Sequence, residues 1–174
     1  MVSEQKTHIK KGLIIALVLI VLDIALQLTH NKFQPWVAYL NSAILFVGVI
    51  VGINIESGGR ENVVFSNLFG YGFRISVVSV CILFLYTILS VYVVFPGYIS
   101  DLYQQSIIQA QKLPNFSASN ASANKEMAMK VMRISLLSMV VLFNLAVGIA
   151  GALVGSVISI LRESYSNKNL QSKA

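Results

Sequence analysis

The sequence predicts an all-α membrane protein with four transmembrane helices and an amphipathic extracytoplasmic helix between the third and the fourth. Hydrophobic residues make up 56% of the 174 residues and charged residues only 11%, whereas soluble domains carry about 25% charged residues. Four apolar stretches are each long enough to cross a hydrocarbon core of about 30 Å. We therefore expect a single domain over residues 1–174, folded as a helical bundle with the lipid bilayer around it.

The first predicted span covers about residues 12–29. Lys10 and Lys11 precede it, and Asp23 interrupts an otherwise apolar run. A signal peptide begins in a similar way, but no small-x-small cleavage site follows the apolar core here. We therefore expect an uncleaved first span.

The second and third spans are predicted at about 36–55 and 69–95. Trp36 opens the second span, as expected for an aromatic residue at the membrane interface. The connection to the first span is short, which predicts an antiparallel helical hairpin. Pro96 follows the third span and is expected to end it.

An extracytoplasmic segment is predicted over residues 98–133. Its first part, to about residue 113, is expected to be an amphipathic helix, since apolar and glutamine-rich faces separate at helical spacing. A Ser/Asn/Ala-rich linker follows at 115–124. The helix that restarts at Lys125 leads into the fourth span, at about 134–161.

The distribution of Lys and Arg predicts that both termini are cytoplasmic, because cytoplasmic loops carry more of these residues. In that orientation eight cations lie inside and five outside. The inside set is Lys6, Lys10, Lys11, Arg60, Arg74, Arg162, Lys168 and Lys173. The outside set is Lys32, Lys112, Lys125, Lys130 and Arg133.

Other function classes are disfavoured by the same composition. The net charge of +6 comes from cations at the ends of the apolar runs, so we expect lipid head groups rather than nucleic acid as their partners. No nucleophile elbow, phosphate-binding loop or zinc-protease motif occurs in the sequence. His8, His30 and Cys81 lack metal-ligand spacing. We expect no enzymatic activity, no cofactor and no metal.

A candidate intramembrane polar site is centred on Asp23. A carboxyl group near the middle of a span is costly, and it usually faces the bundle interior or a water-filled path. Gln27 lies four residues later, on the same helical face. The further candidate partners on other helices are Asn41, Asn54, Asn144 and, if it points inward, Arg74. We expect Asp23 to stabilise the bundle through hydrogen bonds, with proton coupling as the alternative.

Small residues are spaced for close helix packing in two spans. Gly48 and Gly52 form one G-x-x-x-G pattern, and Gly151 and Gly155 form another, with Gly148 on the same face. Such residues let helix backbones approach closely in lipid. We expect contacts inside one bundle, with a homo-oligomer interface as the alternative.

The order of elements resembles a known bacterial family. The stretch Phe65-Ser-Asn-Leu-Phe-Gly-Tyr-Gly72, the third span closing at Phe95-Pro96 and the Gly-rich last span carry the resemblance, which covers nearly the whole chain. The family is catalogued as domain of unknown function 4199, small membrane proteins found mostly in Bacteroidetes. The resemblance implies a bacterial inner-membrane location, and it supplies no catalytic or binding residues.

Three functions remain open on the sequence alone. The first is a non-enzymatic accessory or structural component of the membrane, with another membrane protein or a second copy as partner. The second is a small proton-coupled transporter that uses Asp23. The third is a lipid-binding or lipid-sensing module built on the amphipathic helix.

Overall fold

A computed structural model shows an all-helical chain. It describes residues 4–29, 35–58, 64–112 and 125–171, with the side chains of 4–6, 35, 38 and 166–171 left aside. Within these residues the elements are α1 (Glu4–Leu28), α2 (Pro35–Ser57), α3 (Phe65–Leu89), a π-helical turn (Ser90–Val94), α4 (Tyr98–Ala110) and α5 (Lys125–Gln171). The predicted linker at 115–124 and the turn residues 30–34 and 59–63 lie outside the described residues.

Three helical segments are long and apolar enough to cross a membrane. They are Tyr39–Ser57 in α2, Phe65–Val94 in α3 with its π-helical turn, and Lys125–Tyr165 in α5. They overlap the second, third and fourth predicted spans. The predicted first span falls within α1, which is not one of the three. The structure thus supports a helical membrane protein and leaves the fourth crossing as a prediction.

The chain divides into two compact units. One comprises residues Met1–Leu83 and Leu142–Ala174, and the other comprises Phe84–Val141. We call them the bundle unit and the middle unit. The boundaries fall inside α3 and α5, so both helices contribute to each unit.

The core of the bundle unit is made of aliphatic side chains from all four long helices. Leu45, Val49 and Ile53 of α2 are fully buried at successive turns, and so is Ile75 of α3. Their spacing of four residues keeps them on one helical face. The remaining buried members of the cluster are Ile15, Leu19, Leu68 and Ala152.

The outer surface of the chain is apolar as well. Val21 is 65% exposed, Leu85 65% and Leu142 70%. Water would penalise so much exposed apolar surface, whereas lipid tails solvate it readily. This exterior is typical of a protein that spans a membrane.

The middle unit contains a π-helical turn at the end of α3. The backbone N–H of Phe95 donates to the Ser90 carbonyl at 2.8 Å, five residues back. Pro96 follows and offers no N–H, and it drives Phe95 out of the helical region to φ −132° and ψ 67°. The helix therefore widens for one turn and then stops.

Helix α4 has one sheltered side. Ile99 and Tyr103 are buried, and Asp101, Gln104 and Gln109 are exposed. The residues that the sequence places on the polar face thus lie at the surface.

Candidate functional site

The predicted polar site is centred on Asp23, which is half-buried in α1. Asp23 takes part in at least one hydrogen bond or electrostatic contact. Gln27, one turn later, is also half-buried. Both its amide oxygen and its amide nitrogen are buried with no hydrogen-bond partner among the described residues. A buried amide without partners is costly, because folding removes its water and returns nothing.

The other predicted members of this site are spread over three helices. Asn41 of α2 is half-buried, and its side-chain oxygen is buried without a hydrogen-bond partner among the described residues. Asn144 of α5 is half-buried and takes part in at least one polar interaction. Arg74 of α3 is exposed, so its side chain does not belong to the buried interior.

A second polar cluster, which the sequence analysis did not single out, joins α1, α2 and α3. Lys11 Nζ lies 3.0 Å from Glu56 Oε2 and donates a 2.9 Å hydrogen bond to the Gly52 carbonyl. The Tyr71 hydroxyl donates to the same Glu56 oxygen at 2.9 Å. We call Lys11, Glu56 and Tyr71, with the Gly52 carbonyl, the Lys11–Glu56 cluster.

The physical basis of this cluster is charge pairing away from solvent. The Lys11 and Glu56 side chains are only 19% and 16% exposed. Lys11 also lies near the carboxyl end of α2, where the helix dipole favours a cation. Its ammonium sits 5.0 Å from the centre of the Tyr71 ring, within range of a cation–π contact. The His8 and Tyr71 rings are nearly perpendicular, with their centres 6.2 Å apart.

A smaller polar network links α2 to α5. The Ser159 hydroxyl donates to the Asn54 side-chain oxygen at 3.0 Å, and Ser57 donates to Ser159 at 3.1 Å. The Asn54 side-chain nitrogen donates a 3.0 Å hydrogen bond to the Ile50 carbonyl of its own helix. Asn54, which the sequence suggested as a partner for Asp23, is therefore engaged with α5.

The predicted packing glycines lie at contacts between helices of the bundle unit. A Cβ on Gly48 would meet Ile15 of α1 at 3.0 Å, and one on Gly52 would meet Ile75 of α3 at 2.9 Å. These positions have no room for a larger residue unless a neighbour shifts.

The glycines of α5 are equally close to their neighbours. A Cβ on Gly148 would lie 2.5 Å from Ser76 Cβ, and one on Gly151 would lie 3.0 Å from the Phe46 carbonyl oxygen. A Cβ on Gly155 would lie 2.9 Å from Ile53. Each contact is within the bundle unit, and the homo-oligomer interface stays a prediction.

A backbone contact also joins α1 to α3. The buried Ser79 hydroxyl donates to the Gly12 carbonyl at 3.0 Å, although it also lies 3.0 Å from the Ile75 carbonyl of its own helix. A Cβ on Gly12 would approach Val78 to 2.8 Å. Small residues thus bring α1 against α3 as well as against α2.

The arrangement offers hydrogen-bonding and ionic contacts rather than a catalytic constellation. Within the described part of the chain, no group of three or more His, Cys, Asp or Glu side chains could hold a metal ion. Cys81 is exposed on α3. The arrangement supplies an ion pair at one end of the bundle unit and, one helical turn from Asp23, the amide group of Gln27.

The sequence does contain a signal for the Lys11–Glu56 cluster. Lys11 directly precedes the first apolar stretch, and Glu56 directly follows the second. Two antiparallel helices bring those two ends together, so opposite charges at the outer ends of a predicted hairpin indicate an ion pair. Tyr71 carries no comparable signal, because its approach depends on how α3 packs.

Comparison with known proteins places the chain in a family. A family model described as "Protein of unknown function (DUF4199)" matches residues 10–162. No curated protein and no solved structure matches the chain significantly. The match spans most of the chain and confirms the resemblance noted in the sequence. The chain therefore belongs to the DUF4199 family of proteins of unknown function.

Proposed function

We propose that the chain is a four-span protein of the bacterial inner membrane that acts as a non-enzymatic accessory or structural component. The observation that carries this proposal is the construction of the bundle unit. Its helices meet through glycine and serine contacts, and Lys11 pairs with Glu56 where α1, α2 and α3 converge. Such packing is how helices associate in lipid, where the hydrophobic effect gives no drive.

The fourth crossing is proposed for residues 12–29, of which all but the last lie in α1. About 18 residues at 1.5 Å each reach about 27 Å, close to the hydrocarbon thickness. The exposed side of this segment is apolar, with Leu13, Leu17 and Val21 at the surface. One half-buried Asp23 does not prevent insertion, since its side chain is partly sheltered by the protein.

The contacts of α2 support placing both termini on one side. Lys11, near the start of α1, lies 3.0 Å from Glu56 at the end of α2. Ser159, near the end of the predicted fourth span, donates a 3.0 Å hydrogen bond to Asn54 in the last turns of α2. The start of the predicted first span and the end of the predicted fourth span therefore meet the same end of α2, as expected for an even number of crossings. The excess of cations there favours the cytoplasm.

In this orientation α4 is the amphipathic helix on the extracytoplasmic side. Its exposed glutamines, Gln104, Gln105 and Gln109, supply a polar surface for a partner. An amide-rich face forms hydrogen bonds without the desolvation cost of charged groups. We therefore propose α4 as the surface that contacts another membrane protein.

Photo-crosslinking in native membranes tests this role. A crosslinking amino acid at Gln104 or Gln105 is expected to trap one defined membrane protein. The same probe at Tyr165, which is exposed in the bundle unit, serves as the matched control and is expected not to trap it. Recovery of only copies of the chain itself from the α4 positions would contradict the accessory role.

A proton-coupled transporter is the second candidate, and Gln27 is the observation that favours it. Its buried amide atoms have no hydrogen-bond partner among the described residues, one turn from Asp23. A solute or a water chain would supply the missing partners. In liposomes, transport predicts solute-driven proton movement that Asp23→Asn abolishes and Asp101→Asn, a change at an exposed acid in α4, leaves intact. Equal flux in both variants would eliminate this candidate.

A further inference from the structure

A cleft in the middle unit lies between the π-helical turn and the first turns of α5. It has a volume of about 390 Å³, within the usual range of small-molecule sites. Tyr92 of the π-helical turn forms one wall. The α5 residues that line it are Glu126, Met129, Lys130, Arg133 and Ile134. Their spacing of three and four residues puts them on one face of the helix.

Arg133 is the polar centre of this cleft. Its guanidinium carbon lies 4.9 Å from the centre of the Tyr92 ring, which holds the side chain by a cation–π contact. Its Nε atom is buried and has no hydrogen-bond partner among the described residues. A planar guanidinium that is held against an aromatic ring is suited to an oxyanion, which it binds through two parallel hydrogen bonds.

The charge balance of the cleft also favours an anion. Lys130 is exposed beside Arg133, and Glu126 is the single acid on the wall. Neither Lys130 nor Arg133 forms an ion pair with Glu126 within 4.0 Å in the described part of the chain. The two cations are therefore available to a ligand, and they outweigh the acid by one charge.

The remaining walls indicate that the ligand has an apolar part. Met129 is half-buried and Ile134 is 57% exposed. Apolar side chains thus line part of the cleft. A ligand that carries both a phosphate and an acyl chain satisfies both halves.

The position along the chain matches the level of lipid head groups. The apolar segment Phe65–Val94 ends at the π-helical turn. Lys130 and Arg133 immediately precede Ile134, where the sequence predicts that the fourth span begins. Basic residues next to a span lie where lipid phosphates are concentrated.

We propose that this cleft binds the phosphate group of an anionic membrane lipid, with Arg133 and Lys130 as the phosphate ligands and Tyr92 holding Arg133 in place. The acyl chains lie along Met129 and Ile134. The proposal uses none of the residues assigned to the Asp23 site or to the α4 surface, and it requires only that the chain spans a membrane. Its failure would leave the accessory role standing.

The test is titration of the purified full chain, in uncharged detergent, with three probes. Dioctanoyl phosphatidylglycerol carries phosphate and acyl chains, dioctanoylglycerol carries the chains alone, and inorganic phosphate carries the anion alone. We expect saturable binding of the phosphatidylglycerol and much weaker binding of the other two. Inorganic phosphate that binds as tightly as the lipid would assign the site to free phosphate and overturn the lipid ligand.

Variants locate the binding in the cleft. Lys130→Gln and Arg133→Gln are each expected to weaken phosphatidylglycerol binding about tenfold, the effect of one charge-assisted hydrogen bond. Lys130 is exposed, so its variant should fold even if the Arg133 variant does not. Lys125→Gln, the matched loss of an exposed cation outside the cleft, should change affinity less than twofold. Equal losses in Lys125→Gln and Lys130→Gln, or equal binding of dioctanoylglycerol, would overturn the proposal.

Discussion

Replacing Glu56 with glutamine removes the charge at the centre of the Lys11–Glu56 cluster and keeps the shape of the side chain. Glu56 Oε2 lies 3.0 Å from Lys11 Nζ and accepts a 2.9 Å hydrogen bond from the Tyr71 hydroxyl. The amide oxygen of glutamine has two lone pairs and can still accept from both donors. The loss is therefore the ionic part of both contacts, with Lys11 left on the Gly52 carbonyl at 2.9 Å.

The size of the effect follows from how far the pair is sheltered. Exposed ion pairs contribute about 0–1 kcal/mol, whereas removing one partner of a fully buried pair costs about 3–5 kcal/mol. The Lys11 and Glu56 side chains are 19% and 16% exposed, which places them between these limits. We expect Glu56→Gln to lower the free energy of unfolding by about 2 kcal/mol.

The assay is reversible unfolding in mixed micelles as the fraction of a denaturing detergent is raised. A double-mutant cycle of Glu56→Gln with Lys11→Met separates the pair from the effects of each residue alone. We expect a coupling energy of about 1 kcal/mol. Lys10→Met removes a neighbouring lysine that is exposed, and this control should change stability by less than about 0.5 kcal/mol.

A coupling energy indistinguishable from zero would refute the reasoning. It would mean that Lys11 and Glu56 do not stabilise each other, and that the convergence of α1, α2 and α3 depends on apolar packing alone. A Glu56→Gln variant more stable than the parent chain would also refute it, since desolvation of the pair would then outweigh its attraction.

Two further changes give outcomes that the structure fixes. Gly148→Ala should destabilise the bundle unit by about 1–3 kcal/mol, because its new Cβ would lie 2.5 Å from Ser76 Cβ. As a control, the new Cβ of Gly70→Ala on α3 would meet nothing within 4 Å, and this change should stabilise by about 0.5–1 kcal/mol through helix propensity. If both variants shift the detergent-unfolding curve in the same direction, the packing around Gly148 is contradicted. Gln27→Met should leave the free energy of unfolding unchanged or raise it, because a buried amide without a described partner is exchanged for an apolar side chain of similar length. A loss of stability above about 1 kcal/mol in the same assay would show that Gln27 forms hydrogen bonds in the folded protein.

The helices were largely predictable from the sequence, because a long apolar run in lipid must satisfy its backbone hydrogen bonds within itself, as an α-helix does. The second predicted span, 36–55, lies within α2, Pro35–Ser57. Helix α1 begins at Glu4, eight residues before the predicted span. Its lysine-bearing start carries no apolar periodicity, yet it continues the helix and places Lys11 beside Glu56.

The π-helical turn was not predicted. Pro96 indicated only that α3 would end, and the sequence offered no sign that the last turn would widen. That widening depends on the Phe95 N–H reaching the Ser90 carbonyl, a contact five residues apart that helix propensity does not encode. Tyr92, which lines the cleft, belongs to this turn, so the sequence did not predict the cleft either.

The candidate sites differ in how far sequence could locate them. The spacing of Gly151 and Gly155 predicted a close approach of two helices, but only packing shows that Phe46 and Ile53 of α2 are the neighbours. Asp23 and Gln27 were predictable as polar residues in an apolar run. That Arg74 is exposed was not, because a long side chain near a helix end can turn either way.

The proposed architecture has four membrane crossings, with both ends of the chain on the same side. Single cysteines at Lys10, Asp101 and Tyr165, in a Cys81→Ser background, report the side on which each position lies. A membrane-impermeant thiol reagent is applied to oriented vesicles from each side. We expect positions 10 and 165 to react from the cytoplasmic face and position 101 from the opposite face. Labelling of 10 and 165 from opposite faces would contradict the fourth crossing.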